Sequence, residues 1–276
     1  MSLTIDGKSL NQLGLALLPG FQHPAAPPIR DYTVSIPGRP GAYYFGSDID
    51  PLQFNLPLII KPQEDRYKLA ATIRKMVSVF IDSYGKPKQV KLIYDYEPDK
   101  YYLVRYSGSM PIDRYFRMGK FELPLVAYDP YAYANPDAYD AKAKQEYDKG
   151  LVYNSGIVYP NTTGFQWVYP THYSGVQNHS HYEAPFKLII KGRCKNPKIT
   201  NLNSGVWIQI TETFNDNDQL IIDAKTWTVV KNGNTNLLTK FKGDFIQLTE
   251  GENGFMFESE TMPSAQVTFD WNHLFM

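Results

Sequence analysis

Three histidines lie close together in the sequence and have the chemistry of metal ligands. His179 and His181 are separated by one residue, so a strand would place both imidazoles on one face, where Glu183 would extend the row. Together with His172 they would supply the nitrogen ligands that zinc prefers. The alternative is a solvated polar loop between domains, and we favour it because the sequence fixes no fourth ligand.

The other candidates for chemistry are weaker. Asp216 and Asp218 hint at calcium binding, but the sixth and twelfth positions counted from Asp216 are Ile221 and Trp227, where an EF-hand needs glycine and a bidentate acid. The single cysteine, Cys194, excludes an intrachain disulfide and is expected to be a partly buried thiol. Because no hydrolase, metalloprotease or phosphate-loop motif is present, we predict no catalytic residue, no cofactor and no metal site.

Aromatic side chains are the better candidates for binding. Trp207 is expected on the polar face of its strand with Gln209, where it would contact a ligand or a subunit, whereas Trp271 is expected in the core. A basic and aromatic loop has the composition of a protein interface, although an ordinary hairpin tip would look the same. Its residues are Arg114, Tyr115, Phe116, Arg117 and Met118.

The composition narrows the classes of function. The chain has 276 residues with 28 basic and 28 acidic side chains, and this formal net charge of zero argues against nucleic-acid binding. No apolar run approaches the roughly 20 residues of a membrane helix, and the N-terminus has no secretion signal, so we expect folding in a cytoplasm. Aromatic residues make up 14%, with 21 tyrosines, which favours a β-rich protein that makes contacts.

The first part of the chain is predicted to be mainly β. Leucine, isoleucine and phenylalanine alternate with other residues over 52–60, which indicates a strand with one buried face. Pro57 has no N–H to donate, so this strand is expected at a sheet edge or with a bulge. The other expected features are strands at about 89–96, 101–107 and 121–127, a turn at 97–99 and a loop over 108–118.

One amphipathic helix is predicted in this part. Pro62 is expected to open it, with Glu64 and Asp65 in the first turn, and Gly85 and Pro87 are expected to end it. Its apolar stripe, spaced by three and four residues, consists of Leu69, Ile73, Met76, Val77 and Phe80.

The second part is predicted to be a β-sandwich. Alternating strands begin at Pro185, and Asn232-Gly233 and Asn253-Gly254 have the sequence of tight hairpin turns. We therefore predict a β-barrel-like N-terminal domain over 1–135 and a C-terminal sandwich over 136–276. Within the latter, 136–183 is expected to be a linker, an irregular insertion or early strands.

Several short motifs follow one another along the chain in a distinctive order. In the first half the motifs are Leu13-Gly14-Leu15, Ile36-Pro37-Gly38-Arg39-Pro40-Gly41 and Ala127-Tyr128-Asp129-Pro130-Tyr131. In the second half they are Ile190-Lys191-Gly192, Asn196-Pro197-Lys198-Ile199-Thr200-Asn201, Asp218-Gln219-Leu220-Ile221-Ile222-Asp223 and Leu248-Thr249-Glu250-Gly251-Glu252-Asn253. In their colinear order these motifs resemble the distal tail protein family of siphophages that infect Gram-positive hosts.

The resemblance implies a mainly β fold with a galectin-like C-terminal sandwich and a structural, non-enzymatic role in the phage tail tip. It implies a homohexameric ring of N-terminal domains that joins the tail tube protein to the tail-associated lysin or fibre protein, and in some phages to a receptor-binding protein. The location implied is the virion, after assembly in the host cytoplasm. The alternative reading of the sandwich is a carbohydrate-binding module, with Trp207 as its contact. The further residues predicted at the subunit interface are Arg39, Tyr43, Tyr44 and Phe45.

Overall fold

The computed structural model describes residues 2–135 and 161–276 of the chain. These residues separate into two compact units, and the division falls within 136–160. The fold is mainly β, as the sequence predicts. Among the described residues, no helix combines the length and the apolar character that crossing a bilayer would require.

The first unit is built from eleven strands and one helix. The strands are β1 (Leu3–Ile5), β2 (Lys8–Ser9), β3 (Leu15–Leu17), β4 (Ile29–Val34), β5 (Tyr43–Ile49), β6 (Leu52–Ile60), β7 (Gln89–Tyr94), β8 (Glu97–Tyr106), β9 (Ile112–Tyr115), β10 (Met118–Ala127) and β11 (Ala132–Ala134). The helix is α1 (Arg66–Phe80).

A curved sheet in the order β2-β1-β7-β8-β10-β6-β3 forms a half barrel, with β9 added to β10 and β11 to β8. Its longest contact is β10 against β6, which runs antiparallel from Gly119↔Ile60 to Ala127↔Leu52. Alternate residues of both strands are buried, because the side chains of a strand point to opposite faces. The periodicity predicted for 52–60 and 121–127 is therefore present in the structure.

The expectation for Pro57 is only partly correct. No bulge interrupts the pairing of β6 with β10, where Pro57 lies opposite Glu122. On its other side β6 pairs with β3, but only over Leu58–Ile60, so the ladder starts just after the proline. The carbonyl oxygen of Pro57 still accepts a hydrogen bond from the N–H of Leu18 at 2.8 Å. The strand therefore tolerates a proline where one of its sides has no partner strand.

The helix begins later than the sequence predicts. It starts at Arg66 rather than Pro62, because the side chain of Asp65 caps it by accepting from the N–H groups of Tyr67 and Lys68 at 2.8 and 2.7 Å. The buried helix residues are Leu69, Ile73, Met76, Val79 and Phe80, so Val79 replaces the predicted Val77.

Two boundaries between strands also differ from the prediction. The chain turns between β7 and β8 at 95–96 rather than 97–99. The loop expected over 108–118 contains β9, which pairs with the start of β10.

The second unit is a sandwich of two antiparallel sheets, with a 3-10 turn at Leu238–Lys240. One sheet has the order β12-β24-β14-β18-β19-β20, with β17 and β22 added to β14, and the other has the order β13-β23-β15-β16-β21. The strands of the two sheets are β12 (Thr162–Trp167), β13 (Thr171–Asn178), β14 (Ala184–Lys195), β15 (Lys198–Asn201), β16 (Trp207–Ile210), β17 (Thr213–Phe214), β18 (Gln219–Asp223), β19 (Thr228–Lys231), β20 (Thr235–Asn236), β21 (Phe241–Gly243), β22 (Gln247–Leu248), β23 (Gly251–Glu258) and β24 (Ser264–Trp271), and a short strand outside both sheets, β25 (Leu274–Phe275), follows.

Aromatic rings from both sheets form the core of the sandwich. Phe255 of β23 lies 5.7 Å from Phe186 and 5.0 Å from Phe269, measured between ring centroids. Phe257 meets Phe269 edge to face at 5.9 Å. All four side chains are buried, and such ring contacts stabilise a core beyond the area that they remove from water.

One expectation for this unit is wrong, and one alternative is selected. Residues 162–167 and 171–178 form β12 and β13, which agrees with the early strands among the alternatives for 136–183, while the polar segment 136–149 lies outside the described residues. Asn253-Gly254 is not a turn but lies inside β23. The buried side chain of Asn253 donates to the carbonyl oxygens of Thr249 and Gly251, which a turn residue exposed to water would not do. Asn232-Gly233 does form the predicted tight turn, with positive φ at both residues.

Candidate assembly surface

The most exposed regular element of the first unit is the hairpin of β4 and β5. These strands pair only with each other among the described strands, from Ile29↔Ile49 to Val34↔Tyr43, with a bulge after Asp31. All residues of both strands except Gly46 are exposed. A hairpin that buries no face of its own is at best marginally stable, so it requires a partner surface.

One face of this hairpin is aromatic. Val34 and Tyr43 are directly paired, and alternation places Tyr32 and Phe45 beside them on the same face. Phe45 has 70% of its surface exposed. The guanidinium of Arg39, in the connecting loop, lies 4.4 Å from the centre of the Tyr43 ring, within the range of a cation–π contact. This face therefore presents apolar area with a positive charge at its tip.

The opposite face is mixed, with Ile29 and Ile49 at its base, and its polar groups are hydrogen-bonded to one another. The hydroxyl of Ser47 connects Tyr44 to Asp31 through hydrogen bonds. At the base of the aromatic face, where alternation places Arg30, its Nε donates to Asp50 at 3.2 Å, and this hydrogen-bonded ion pair lowers the pKa of the Asp50 carboxyl. These contacts fix side-chain rotamers in the free subunit, which reduces the entropy lost when a partner binds.

The second predicted contact region is also a hairpin tip. β9 and β10 pair from Met118↔Tyr115 to Phe121↔Ile112, and Phe116 at the turn has φ of 40° and is 87% exposed. Arg117 does not point freely into solvent, because its guanidinium donates twice to the carbonyl oxygen of Glu64, at 2.9 and 2.7 Å. No hydrogen bond within the described residues joins this tip to the β4–β5 hairpin. Arg114 and Tyr115 are exposed and Met118 is half-buried.

In the sandwich, Trp207 lies on the exposed side of β16, as its strand pattern predicts. It is 39% exposed, and the ammonium nitrogen of Lys198 lies 5.9 Å from its ring centre. Trp271 is buried in the core. Trp167 is buried as well, and its indole N–H donates to the carbonyl oxygen of Tyr169 at 2.8 Å.

The three histidines of the possible zinc site do not converge. His172 stacks on Phe165 at 4.3 Å between ring centres, and Nδ1 of His181 lies 3.0 Å from Glu250 at the surface. His179 lies beside His273, with ring centres 5.3 Å apart. Across residues 2–135 and 161–276, no three histidine, cysteine, aspartate or glutamate side chains are grouped as metal ligands.

The two weaker candidates are structural. Cys194 is buried, and burial raises the pKa of its thiol to about 12, so it is protonated and unreactive at neutral pH. Asp218 accepts hydrogen bonds from the N–H of Asn215 and from Asn232 at 2.8 Å each, which lowers its carboxyl pKa to about 2. It closes the polar turn before β18.

Two models of known protein families match the chain. Residues 8–127 match the phage tail protein RIFT-related domain, and residues 180–275 match the siphovirus-type tail component, C-terminal domain. Together they cover well over half of the sequence, and in the order in which the domains occur along it.

The chain belongs to the siphophage distal tail protein family.

One solved structure agrees with this membership at the level of the fold. The chain is similar to the crystal structure of the Dit (gp 19.1) protein of phage SPP1, described as a paradigm of hub adsorption apparatus in Gram-positive infecting phages. The TM-score is 0.68 and the identity 13%, over 100% of this chain and 99% of that one. A chain of the phage P2 baseplate in its activated, calcium-bound conformation gives a TM-score of 0.46 at 11% identity, over 99% of this chain and 97% of that one. No match was found among curated protein sequences.

This distal tail family member is thus a structural component of a phage tail. The sequence predicted Arg39, Tyr43, Tyr44 and Phe45 as contacts, and the structure places all four on one hairpin. It missed Ile29, Tyr32, Val34 and Ile49 of the same hairpin. The available signal was a run of apolar residues that alternates with polar ones on both sides of a Pro- and Gly-rich loop.

Proposed function

We propose that the chain forms a closed homohexameric ring at the tail tip and performs no catalysis. The ring would be made by the N-terminal domain, residues 1–135, and the sandwich of residues 136–276 would face outward. The observation that carries this proposal is the β4–β5 hairpin, whose aromatic face is exposed in the isolated subunit. Arg39, Tyr43 and Phe45 would be its central contacts, Tyr44 would contact the partner from the opposite face, and Phe116 with its neighbours would form a second contact region.

Elementary energetics support a ring built on this element. A cyclic assembly repeats one heterologous interface, and ring closure prevents growth into fibres. A stable contact of this kind buries at least about 1,000 Å² and draws its energy from aromatic and apolar side chains. The formal net charge of zero means that long-range repulsion between copies does not oppose closure.

The partners follow from a position at the tail tip. One face of the ring would bind the tail tube protein, and the other would bind the tail-associated lysin or fibre protein. The sandwich would offer sites for a receptor-binding protein. DNA would pass through the central channel without sequence-specific contact, which suits the absence of excess positive charge. Assembly would take place in the host cytoplasm and the product would reside in the virion.

The oligomeric state of two matched variants tests this proposal. Phe45→Glu places a charge on the aromatic face of the hairpin, whereas Tyr84→Glu changes a tyrosine that is 86% exposed in the turn after α1. By light scattering, wild type and Tyr84→Glu should have the mass of six 31.6 kDa chains, about 190 kDa. Phe45→Glu should be a folded monomer that still unfolds cooperatively, because Phe45 packs into no core of its own subunit, and its melting temperature should fall only by the contribution of the lost interface.

Negative-stain microscopy completes this test. Wild-type protein should show annular particles with six-fold symmetry, and Phe45→Glu should show none. A wild-type protein that remains monomeric at high concentration, alone or with tail tube protein, would overturn the proposal. A hexamer that persists in Phe45→Glu would remove the hairpin from the interface.

A further inference from the structure

An exposed tryptophan in the sandwich occupies an unfavourable conformation. Trp227 ends the four-residue turn between β18 and β19, with 67% of its surface exposed and φ of 57°. A bulky side chain is strained in the left-handed region, where glycine or asparagine is usual. Folding alone would not select tryptophan at this position. Strained residues that persist in a fold are frequently functional.

The indole is held in place by a column of stacked rings. Phe241 and Phe245 stack with ring centres 4.7 Å apart and planes 19° apart, and Trp227 stacks on Phe245 at 6.2 Å and 24°. Trp227 is the outermost ring of this column. The column therefore orients an exposed aromatic face before any ligand binds, which lowers the entropic cost of binding.

The surroundings restrict what this face can bind. Lys225, Thr226 and Thr228 are exposed polar neighbours and Phe241 and Phe245 are half-buried, so the exposed apolar area is mainly one indole, on the order of 200 Å². A protein partner normally requires about 800 Å² on each side. A quaternary ammonium ligand is bound by an aromatic cage, whereas the rings here are nearly parallel.

We propose that Trp227 is the stacking platform of a saccharide site for β-linked glucose or N-acetylglucosamine units. A pyranose ring with equatorial substituents presents a face of C–H groups, which the negative face of an indole attracts. Its rim of hydroxyls requires polar partners, and Thr226 and Thr228, whose hydroxyls lie 2.9 Å apart, retain hydrogen-bonding capacity beside the ring. The site belongs to a single subunit, so it does not depend on ring assembly.

Titration of the full-length protein with cellohexaose and chitohexaose tests this inference. Calorimetry and tryptophan fluorescence should detect saturable binding of at least one of them to the wild type. Trp227→Asn should weaken that binding at least about tenfold. Because asparagine is tolerated at positive φ, its melting temperature should stay close to that of the wild type or rise. Trp227→Gly serves as a second variant with the same backbone tolerance.

Trp207→Ala is the matched control, because Trp207 is the other exposed tryptophan of the described sandwich and is only 39% exposed. It should retain wild-type affinity. The inference is overturned if neither oligosaccharide binds the wild type, or if folded Trp227→Asn or Trp227→Gly binds as the wild type does. Loss of binding in Trp207→Ala alone would move the site to Trp207 and overturn it as well. The ring proposal is unaffected by each of these results.

Discussion

At the scale of single residues, His273 is a buried histidine whose surroundings require the neutral form. The backbone N–H of His179 donates to its Nδ1 at 3.1 Å, so this nitrogen carries no proton. Burial, and secondarily the nearby His179, lowers the pKa of His273 from 6.5 to about 4. Partial burial also lowers the pKa of His179.

Stability of the sandwich should therefore decrease in mild acid. Between pH 6.5 and pH 4 His273 is protonated in the unfolded chain but stays neutral in the folded protein. Its contribution to the free energy of unfolding is therefore complete above pH 6.5 and is lost as the pH falls. Denaturant unfolding should show a free energy lower by about 2 kcal/mol at pH 5 than at pH 7. His273→Gln should reduce this difference, and an unchanged difference in that variant would contradict the assignment.

At the scale of elements, the long strand β14 changes partner at a glycine. It pairs with β18 up to Lys191↔Gln219 and then with β17 from Cys194↔Phe214. Between them lies Gly192, with φ of 125°. A Cβ at this position would lie 2.3 Å from the carbonyl oxygen of Ser264 in β24. The absence of a side chain thus allows β14 to bend while its neighbour stays close.

Gly192→Ala should destabilise the sandwich strongly. Backbone strain at positive φ and a clash with backbone atoms together cost about 2–5 kcal/mol. The matched control is Gly175→Ala in β13, where a Cβ would be 3.9 Å from the nearest atom, the carbonyl oxygen of Asn253. Thermal melting should show a large decrease for the first variant and little change for the second. Equal melting temperatures would show that the strand accommodates the methyl group.

The elements also show what the sequence can predict. The strands over 52–60 and 121–127 were predictable because alternation directly records which face is buried. The turn predicted at Asn253-Gly254 was wrong because this dipeptide is typical of turns, whereas the buried hydrogen-bond partners of Asn253 are set by the tertiary structure. The start of α1 differs from the prediction for a local reason: both Pro62 and Asp65 are residues typical of a helix start, and the capping hydrogen bonds to Asp65 make Arg66 the first helical residue.

The same limit applies to the candidate site. The composition of Arg114–Met118 and of Tyr43–Phe45 indicated contact-making residues, because aromatic and basic side chains are enriched at interfaces. The hydrogen bond from Arg117 to the carbonyl oxygen of Glu64 could not be predicted, because these residues are 53 positions apart in the sequence and only the fold brings them together. The column of rings at Trp227 could not be predicted for the same reason, because Trp227 lies in a turn whereas Phe241 lies in β21 and Phe245 follows that strand.

At the scale of the whole molecule, the β4–β5 hairpin is separable from the fold of its own unit. Its strands make no ladder with the main sheet, and the hairpin closes at its base, where the N–H of Asp50 donates to the carbonyl oxygen of Pro28 at 2.8 Å. The two ends are therefore close enough to be joined by a short linker. A pair of strands that adds no side chains to the core of its own subunit is suited to bind another subunit.

Replacing residues 30–49 with a short glycine-rich turn should leave a folded monomer. The core of the first unit is unchanged, so the melting temperature should shift by only a few degrees, whereas the hexamer should be lost together with the hairpin interface. Light scattering and thermal melting on one preparation separate the two effects. A hexamer without the hairpin would transfer ring closure to the β9–β10 tip, and an unfolded variant would show that the hairpin stabilises its own subunit.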